Sequence, residues 1–188
     1  MGTESDRERF EQLVLPHLDA AYNLARWLVR SPHDAEDMVQ ESMLRAVRFF
    51  SSFRGGDSRA WLMTIVRNCC YSWLGRNRSA DLAEEFDETA HSPAQPTPES
   101  DAVASGEAVR LRRALEEIPA QFREAIVLRE LEGMSYKEIA HITGVSIGTV
   151  MSRLSRARDR LRTVLTHEAN PSAERRGAVP GIVEGVAP

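Results

Sequence analysis

The stretch SYKEIAHITGVSIGTVMSRLSRARDRLR, residues 135–162, decides the class of fold. Ser135 and Glu138 have the spacing of a capping box, which predicts the start of a short helix. Gly144 stands in the following turn, where the backbone needs a conformation that side chains resist. Ser146 is a suitable N-cap for a second and longer helix. The spacing therefore predicts two helices that meet at a tight corner.

The second of these helices has an apolar side and a basic side. Val145 and Val150 would fill the corner, and Leu154 and Leu161 would continue the buried face. Residues 153–162 contain five arginines and a single acid. This pattern is typical of a helix-turn-helix whose second helix enters the major groove, with later arginines on phosphates. The residues expected to face outward are Ile147, Gly148, Thr149, Ser152, Arg153 and Arg156. An ordinary corner with a solvated basic face is the alternative.

The rest of the chain also indicates helices, in two blocks. Residues 79–107 contain three prolines, many small polar residues and no apolar stripe, which predicts a flexible linker. Apolar residues on both sides recur at spacings of three and four, and no segment alternates with period two. We therefore expect an all-α protein with two small helical domains, at 5–78 and 108–166. A disordered tail is expected at 167–188.

The net charge of −4 conceals a segregation of charge along the chain. Residues 1–80 carry 11 basic and 10 acidic side chains, and residues 108–167 carry 11 and 7. The segment between them, residues 81–107, carries 8 acids and no base, so the linker is acidic. Because a partner responds to local charge, the whole-chain value does not exclude nucleic acid.

Several classes of protein are excluded by what the sequence lacks. It has no run of about 18 apolar residues to span a bilayer and no secretory signal. The two cysteines, Cys69 and Cys70, are adjacent, which excludes a disulfide framework and suits a reducing cytoplasm. No phosphate-binding glycine loop, metal-spaced cluster or nucleophile elbow occurs, so we expect no enzyme, metal or cofactor. Redox sensing by the thiols remains open, although Cys69 lies on an apolar stripe.

Residues 45–80 combine arginines with aromatic side chains. They hold seven arginines, a single acid and half of the chain's aromatic residues. Binding of single-stranded DNA needs this combination, because cations bind the backbone and rings stack on bases. Phe50 and Trp73 continue apolar stripes, so we expect them in the core. Structural and functional roles both remain open for the loop that contains Phe53, Arg54, Gly55 and Gly56.

The helix that opens at Pro32 carries an acidic face. Asp34, Asp37 and Glu41 share this face at spacings of three and four, opposite an apolar line. Acids near a helix N-terminus also interact favourably with the helix dipole. Two interpretations therefore remain open, a solvated face and a docking surface for a basic partner helix.

Several motifs in a fixed order complete the pattern: DAEDMVQESMLRAV (34–47), FRGG (53–56), WLMTIVRN (61–68) and LRELEGMSYKEIAHITGVSIGTVMSRLSRARDRL (128–161). Together they resemble the extracytoplasmic-function (ECF) sigma factors, the minimal form of the bacterial sigma-70 family. The resemblance covers roughly residues 8–165. It implies that the first block is sigma region 2, which binds core RNA polymerase and the −10 element. It implies that the second block is region 4, which reads the −35 element.

The resemblance also implies partners and site residues. The residues that would contact the clamp helices of the polymerase β′ subunit are Asp34, Asp37, Gln40 and Glu41. Those beside melted −10 DNA, one of which would hold a flipped base, are Phe53, Arg54, Gly55, Gly56, Asp57, Ser58, Arg59, Trp61, Arg67 and Asn68. Those in the −35 major groove are Ser146, Ile147, Gly148, Thr149, Ser152, Arg153, Arg156 and Arg158. The helix at about 119–131 would meet the β flap, the linker would approach the polymerase active-site channel, and an anti-sigma factor would hold the protein inactive.

The sequence departs from the family pattern at two places. The loop between Phe53 and Trp61 is one residue shorter than is common, so which residue captures the −10 base stays open. Met151 stands where many relatives carry lysine or arginine, which weakens a phosphate or base contact there. An alternative function is a free-standing helix-turn-helix regulator that binds duplex operators without polymerase. It would leave the aromatic loop and the acidic face unused.

Overall fold

The computed structural model describes residues 4–84 and 106–169, and neither range contains a β-strand. The helices of the first range, which we call the first unit, are α1 Glu4–Leu13, α2 Leu18–Val29, α3 Pro32–Phe49 and α4 Ser58–Glu84. Those of the second unit are α5 Gly106–Glu117, α6 Ala120–Ile126, α7 Tyr136–Thr143 and α8 Ile147–Ala169. The all-α fold class is confirmed.

The helix ends differ from the expected domain boundaries. Helix α4 continues through residues 79–84, which the sequence assigns to the linker, and α8 continues through 167–169 into the expected tail. The remainder of the expected linker and tail, 85–105 and 170–188, lies outside the described residues.

The first unit is a bundle in which α2, α3 and α4 pack against one another. Pro16 lies in a short 3₁₀ turn that separates α1 from α2, because proline cannot donate the helical hydrogen bond. Ser31 caps α3, its Oγ accepting a bond from the Asp34 N–H at 3.3 Å, and Pro32 follows in the first turn. Leu24 and Leu62 are fully buried between the helices.

The second unit has the expected corner between α7 and α8. The Ser135–Glu138 capping box is present, with N–H to oxygen distances of 3.2 and 2.7 Å. Gly144 ends α7 with a φ of 68°, and the Ser146 Oγ accepts a bond from the Thr149 N–H at 3.1 Å. Upstream of the corner, α6 runs on into a π-helical turn, Val127–Leu131, which the sequence analysis did not anticipate.

The two units pack together through polar as well as apolar contacts. Helix α4 lies against α7, α2 lies against α6, and the buried apolar side chains form one continuous cluster. Arg123 of α6 is buried at this junction. Its guanidinium donates to the Ile118 carbonyl beyond the end of α5 at 3.0 Å and to the Leu28 carbonyl near the end of α2 at 3.4 Å. A single cation thereby pairs with buried backbone carbonyls at helix ends of both units.

The left-handed turn at Gly144 gives a stability prediction. An added Cβ would meet nothing within 4 Å, so Gly144→Ala carries only the conformational cost of a positive φ. We expect it to lower the free energy of unfolding by about 1 kcal/mol, measured by thermal unfolding of the full chain. Gly75→Ala is the matched control, because Gly75 lies inside α4 and its Cβ would also meet nothing. That change should raise stability by about 0.5–1 kcal/mol. Equal melting temperatures for Gly144→Ala and the unmodified chain would contradict a left-handed backbone at Gly144.

Candidate nucleic-acid interface

The first turns of α8 form the exposed face of the helix-turn-helix. Val150 and Leu154 are buried against the rest of the second unit, so the opposite side of α8 faces outward. Ile147 is 47% exposed. Exposed polar positions surround it at Gly148, Thr149, Ser152 and Arg156. The predicted outward orientation is confirmed for these five residues, but Arg153, which was also expected to face outward, is half-buried.

Three other members of the −35 set have partners within the protein. Ser146 is used as the N-cap of α8. The Arg158 guanidinium lies 2.8 Å from the Glu130 carboxylate, with both side chains about half exposed. Arg153 is half-buried, and its charge helps to lower the pKa of Glu124 against the larger effect of burial.

The loop before α4 is held open by two consecutive glycines. Gly55 and Gly56 have φ angles of 94° and 100°, and they are exposed together with Arg54 and Asp57. The Asp57 Oδ1 accepts a bond from the Ala60 N–H at 3.0 Å, which identifies Asp57 as the cap of α4. Ser58 is buried, with its hydroxyl 3.4 Å from His17 Nε2. Arg54 and the glycines are therefore the accessible part of the loop.

The aromatic side chains around this loop form a cluster. Phe50 is only 3% exposed and packs edge-on against Phe10 at 5.2 Å, so the expectation that it belongs to the core is confirmed. Trp73 also packs against the core. Phe53 is half-buried, stacked on Phe50 at 6.0 Å and 5.1 Å from Trp61. Phe53 and Trp61 thus support the loop while keeping part of each ring accessible.

Two arginines of the −10 set contact the second unit. The Arg59 guanidinium lies 2.6 Å from the Glu132 carboxylate, and Arg67 Nε lies 2.7 Å from Glu124 Oε1. Asn68, the next residue of the set, is exposed. A guanidinium that faces a carboxylate of the second unit is not free to bind phosphate. The packed arrangement therefore occupies part of the candidate −10 surface.

Glu124 is the most constrained group at this junction. Its side chain is fully buried, and burial raises the pKa of the carboxyl above its usual value. Tyr71 donates a hydrogen bond to Oε2 at 3.2 Å, and the Arg67 guanidinium lies 4.5 Å from the Tyr71 ring centre. The Arg67 N–H does not point at Oε1, so this contact is an ion pair rather than an aligned hydrogen bond.

Three residues of this junction were not predicted from the sequence, namely Glu124, Glu132 and Tyr71. For Glu124 the signal was its place beside Arg123 inside the apolar run QFREAIVL, residues 121–128. Such charges are unexpected on a face that must be buried, unless another part of the chain supplies their partners.

The acidic face of α3 is open to solvent. Asp37 and Gln40 are exposed, Asp34 is half-buried, and the Glu41 carboxylate lies 2.7 Å from Arg45 Nε. Leu44, which the sequence analysis missed, is 69% exposed beside the acids. A surface depression joins this face to α4; it is lined by Asp37, Met38, Gln40, Glu41, Leu44, Arg45, Cys69 and Arg76.

The cysteines do not form a reactive site. Cys69 and Cys70 are both buried, and burial is the main cause that raises the pKa of Cys70 to about 12. Redox sensing needs an accessible thiolate, so the structure disfavours that role. Within residues 4–84 and 106–169, no group of His, Cys, Asp and Glu side chains could hold a metal ion. No helix there is long and apolar enough to cross a membrane.

Two family models match the chain, one on each unit. The model described as Sigma-70 region 2 matches residues 13–80, and the model described as Sigma-70, region 4 matches residues 108–161. The chain is 36% identical over 177 residues to the ECF RNA polymerase sigma factor SigE of Mycolicibacterium smegmatis, covering 92% of this chain and 68% of that protein. It is 34% identical over 165 residues to the ECF RNA polymerase sigma-E factor of Haemophilus influenzae, covering 83% and 87%.

Solved structures show the same fold. The sigma factor RpoE from Bartonella quintana, in complex with the anti-sigma factor NepR, superposes with a TM-score of 0.70 at 35% identity, covering 85% of this chain and 98% of that one. CnrH, in complex with the cytosolic domain of CnrY, gives a TM-score of 0.61 at 28% identity, with coverages of 87% and 90%. The fold and the matched regions define a two-unit helical sigma factor. The chain belongs to the ECF sigma factors of the sigma-70 family.

The ion pair at the junction predicts unequal effects when its two members are replaced. Arg67→Ala leaves the buried Glu124 carboxylate without its cation, so we expect packing of the two units to weaken by about 3 kcal/mol. Glu124→Gln removes the cost of burying a charge and leaves Arg67, which is 20% exposed, to be hydrated. That variant should stay packed. Small-angle X-ray scattering would measure the separation of the units.

Arg158→Ala is the matched control, because its pair with Glu130 is exposed and contributes less than about 1 kcal/mol.

The pKa of Glu124 also sets a pH dependence. Because the pKa of the Glu124 carboxyl is raised in the packed form, the packed form binds the proton more tightly than the open form does. Packing should therefore lose stability as pH rises from the usual carboxyl pKa to the raised one, and Glu124→Gln should abolish this trend. If the two units of Glu124→Gln are separated at neutral pH, the cost assigned to burying the Glu124 charge is wrong.

Proposed function

We propose that this chain is a promoter-specificity subunit that binds core RNA polymerase and directs it to defined start sites. The observation that carries the proposal is the exposed recognition face of α8 in the same chain as the arginine- and aromatic-rich region around α4. Helix α8 would read the −35 duplex in the major groove. The loop at 53–58 and the outer face of α4 would hold melted −10 DNA, one base in the loop.

The energetics of DNA opening require a larger partner. Opening ten base pairs costs about 14 kcal/mol, at about 1.4 kcal/mol for each stacking step. A base stacked on an aromatic ring returns only about 1–3 kcal/mol. The accessible edges of Phe53 and Trp61 could hold one or two bases, so polymerase must supply most of the energy. In this proposal the catalytic chemistry belongs to polymerase, and this chain needs no enzyme activity, metal or cofactor of its own.

The α3 face would dock on the β′ clamp helices of the polymerase. Asp37, Gln40 and Glu41 supply negative and polar groups at an accessible surface, and Leu44 adds an apolar contact beside them. A basic helix with one apolar side chain would complement this face in charge and shape. The segment around α6 would meet the β flap.

The packed arrangement of the two units would compete with promoter binding. Arg59 and Arg67 face carboxylates of the second unit, so −10 DNA can use them only after the units separate. The affinity for −10 DNA is then reduced by the fraction of molecules that are open. An anti-sigma factor would act on the same balance by stabilising a form that does not bind polymerase. This partner is proposed because RpoE of Bartonella quintana is solved with one.

The proposed site of action is the cytoplasm, where polymerase and promoter DNA are found. An anti-sigma factor anchored in a membrane could hold the chain at that membrane until it is released. A free-standing operator-binding regulator is not favoured, because it would use the α8 face but neither the α3 face nor the aromatic loop. Run-off transcription with core polymerase tests the proposal directly. Absence of initiation at any defined site by the folded chain would overturn it.

A substitution in α8 should separate promoter reading from polymerase binding. Arg156 is exposed on the recognition face, so Arg156→Ala should weaken binding to −35 DNA by about 5- to 150-fold, the value of one good arginine contact. Affinity for core polymerase should stay unchanged. Arg153→Ala should act in the same direction. Arg113→Ala, an exposed arginine on α5, is the matched control and should leave both affinities unaltered.

Charge reversal on α3 should have the complementary effect. We expect Asp37→Lys combined with Glu41→Lys to reduce binding of the full chain to core polymerase at least tenfold, because both sides of the contact would then be basic. Glu36→Lys, which reverses an exposed charge on another side of α3, is the control. Co-purification with core enzyme measures the effect. Retained binding by the double variant, with an unchanged melting temperature, would place the polymerase contact elsewhere.

A further inference from the structure

The recognition face of α8 carries two large apolar side chains that the helix-turn-helix itself does not use. Ile147 is 47% exposed and Met151 is 54% exposed, one turn further along. The buried side of α8 is filled by Val150 and Leu154, so neither side chain belongs to the core. Single exposed apolar residues need no explanation. Two neighbouring ones at the start of a helix that is proposed to read DNA form an apolar surface for contact with a base.

We propose that Ile147 and Met151 read thymine methyl groups in the −35 duplex and so help to set the promoter sequence. This inference rests on the proposed function of α8. Residues four apart on a helix lie only about 40° from each other around its axis, so the two side chains form one apolar flank. Arg156 lies on the other flank, with Gly148 and Ser152 between. The face therefore offers an apolar edge and a cationic edge to one groove.

Thymine is the occupant that fits the apolar flank. Its 5-methyl group is the apolar contact that a base edge offers in the major groove, where the other groups are hydrogen-bond donors and acceptors. Ile147 and Met151 have no conventional donor, so they cannot read those groups. The arginines on the same helix attract a polyanion, which brings the flank into the groove. Burial of one methyl group changes a binding constant about fourfold.

Met151 gives this flank an apolar contact in place of a charge. An arginine or lysine at the same position could bind guanine or phosphate through its charge. Methionine substitutes a flexible apolar contact that adapts to the position of a methyl group. We therefore infer that the base pair opposite Met151 contains thymine, and that Met151 binds thymine more tightly than uracil, which lacks the 5-methyl group.

Replacement of thymine by deoxyuridine tests the inference, because it removes the methyl group and leaves base pairing intact. The full chain with core polymerase is first used to map start sites and their upstream elements. Each −35 thymine is then replaced singly, and binding of the holoenzyme is measured at fixed salt. We expect one or two positions at which deoxyuridine lowers affinity about fourfold. At those positions Met151→Ala or Ile147→Ala should abolish the difference.

Leu111→Ala, which truncates a 45% exposed leucine on α5, is the matched control and should keep the full deoxyuridine effect. Insensitivity of the unmodified chain to deoxyuridine at every position would overturn the inference. So would a −35 element without thymine in either strand. Loss of polymerase binding in Ile147→Ala would mean that the flank contacts protein instead. If Arg156→Ala still weakens −35 binding in these cases, only the inference fails; if no start site depends on the −35 element, the proposed function fails with it.

Discussion

Packing of the two units depends on two adjacent charged residues of a buried helix, because each of them needs a partner from the first unit. Arg123 and Glu124 lie in α6, where every neighbouring side chain from Phe122 to Leu128 is buried. The two Nη atoms of Arg123 donate to backbone carbonyls of both units, and Glu124 forms an ion pair with Arg67 and accepts a hydrogen bond from Tyr71 of the first unit. Because a buried charge without a partner is very costly, these contacts fix the packing of the units in one register.

The same contacts make the packing reversible. An ion pair that is taken out of water gains little net energy, because the cost of desolvation offsets the attraction. The raised pKa of Glu124 expresses that cost, with burial outweighing the influence of Arg67. Most of the adhesion therefore comes from apolar contact, while the charges determine which contact forms. Arg59 and Arg67 can then exchange a carboxylate for a DNA phosphate at modest cost, which suits a protein that must pass between partners.

Local chemistry explains which features could be read from the sequence. The caps at Ser135 and Ser146, the glycine at 144 and the apolar stripes depend on neighbours within a few residues, and the structure has all of them. The outward face of α8 followed from the same periodicity. The pairing of Arg67 with Glu124 could not be read, because it joins residues 57 positions apart across two units. The π-helical turn after α6 was missed for a similar reason, since no residue type in Val127–Leu131 specifies it.

The paired glycines at 55 and 56 also bear on how such a protein can diversify. Both adopt backbone angles that other residues rarely reach, so nearly any single substitution at either position would strain the loop. Substitution should therefore be tolerated better at neighbours that have ordinary backbone angles, such as Arg54. We therefore expect a change of target sequence to retain Gly55 and Gly56 and to alter the residues beside them.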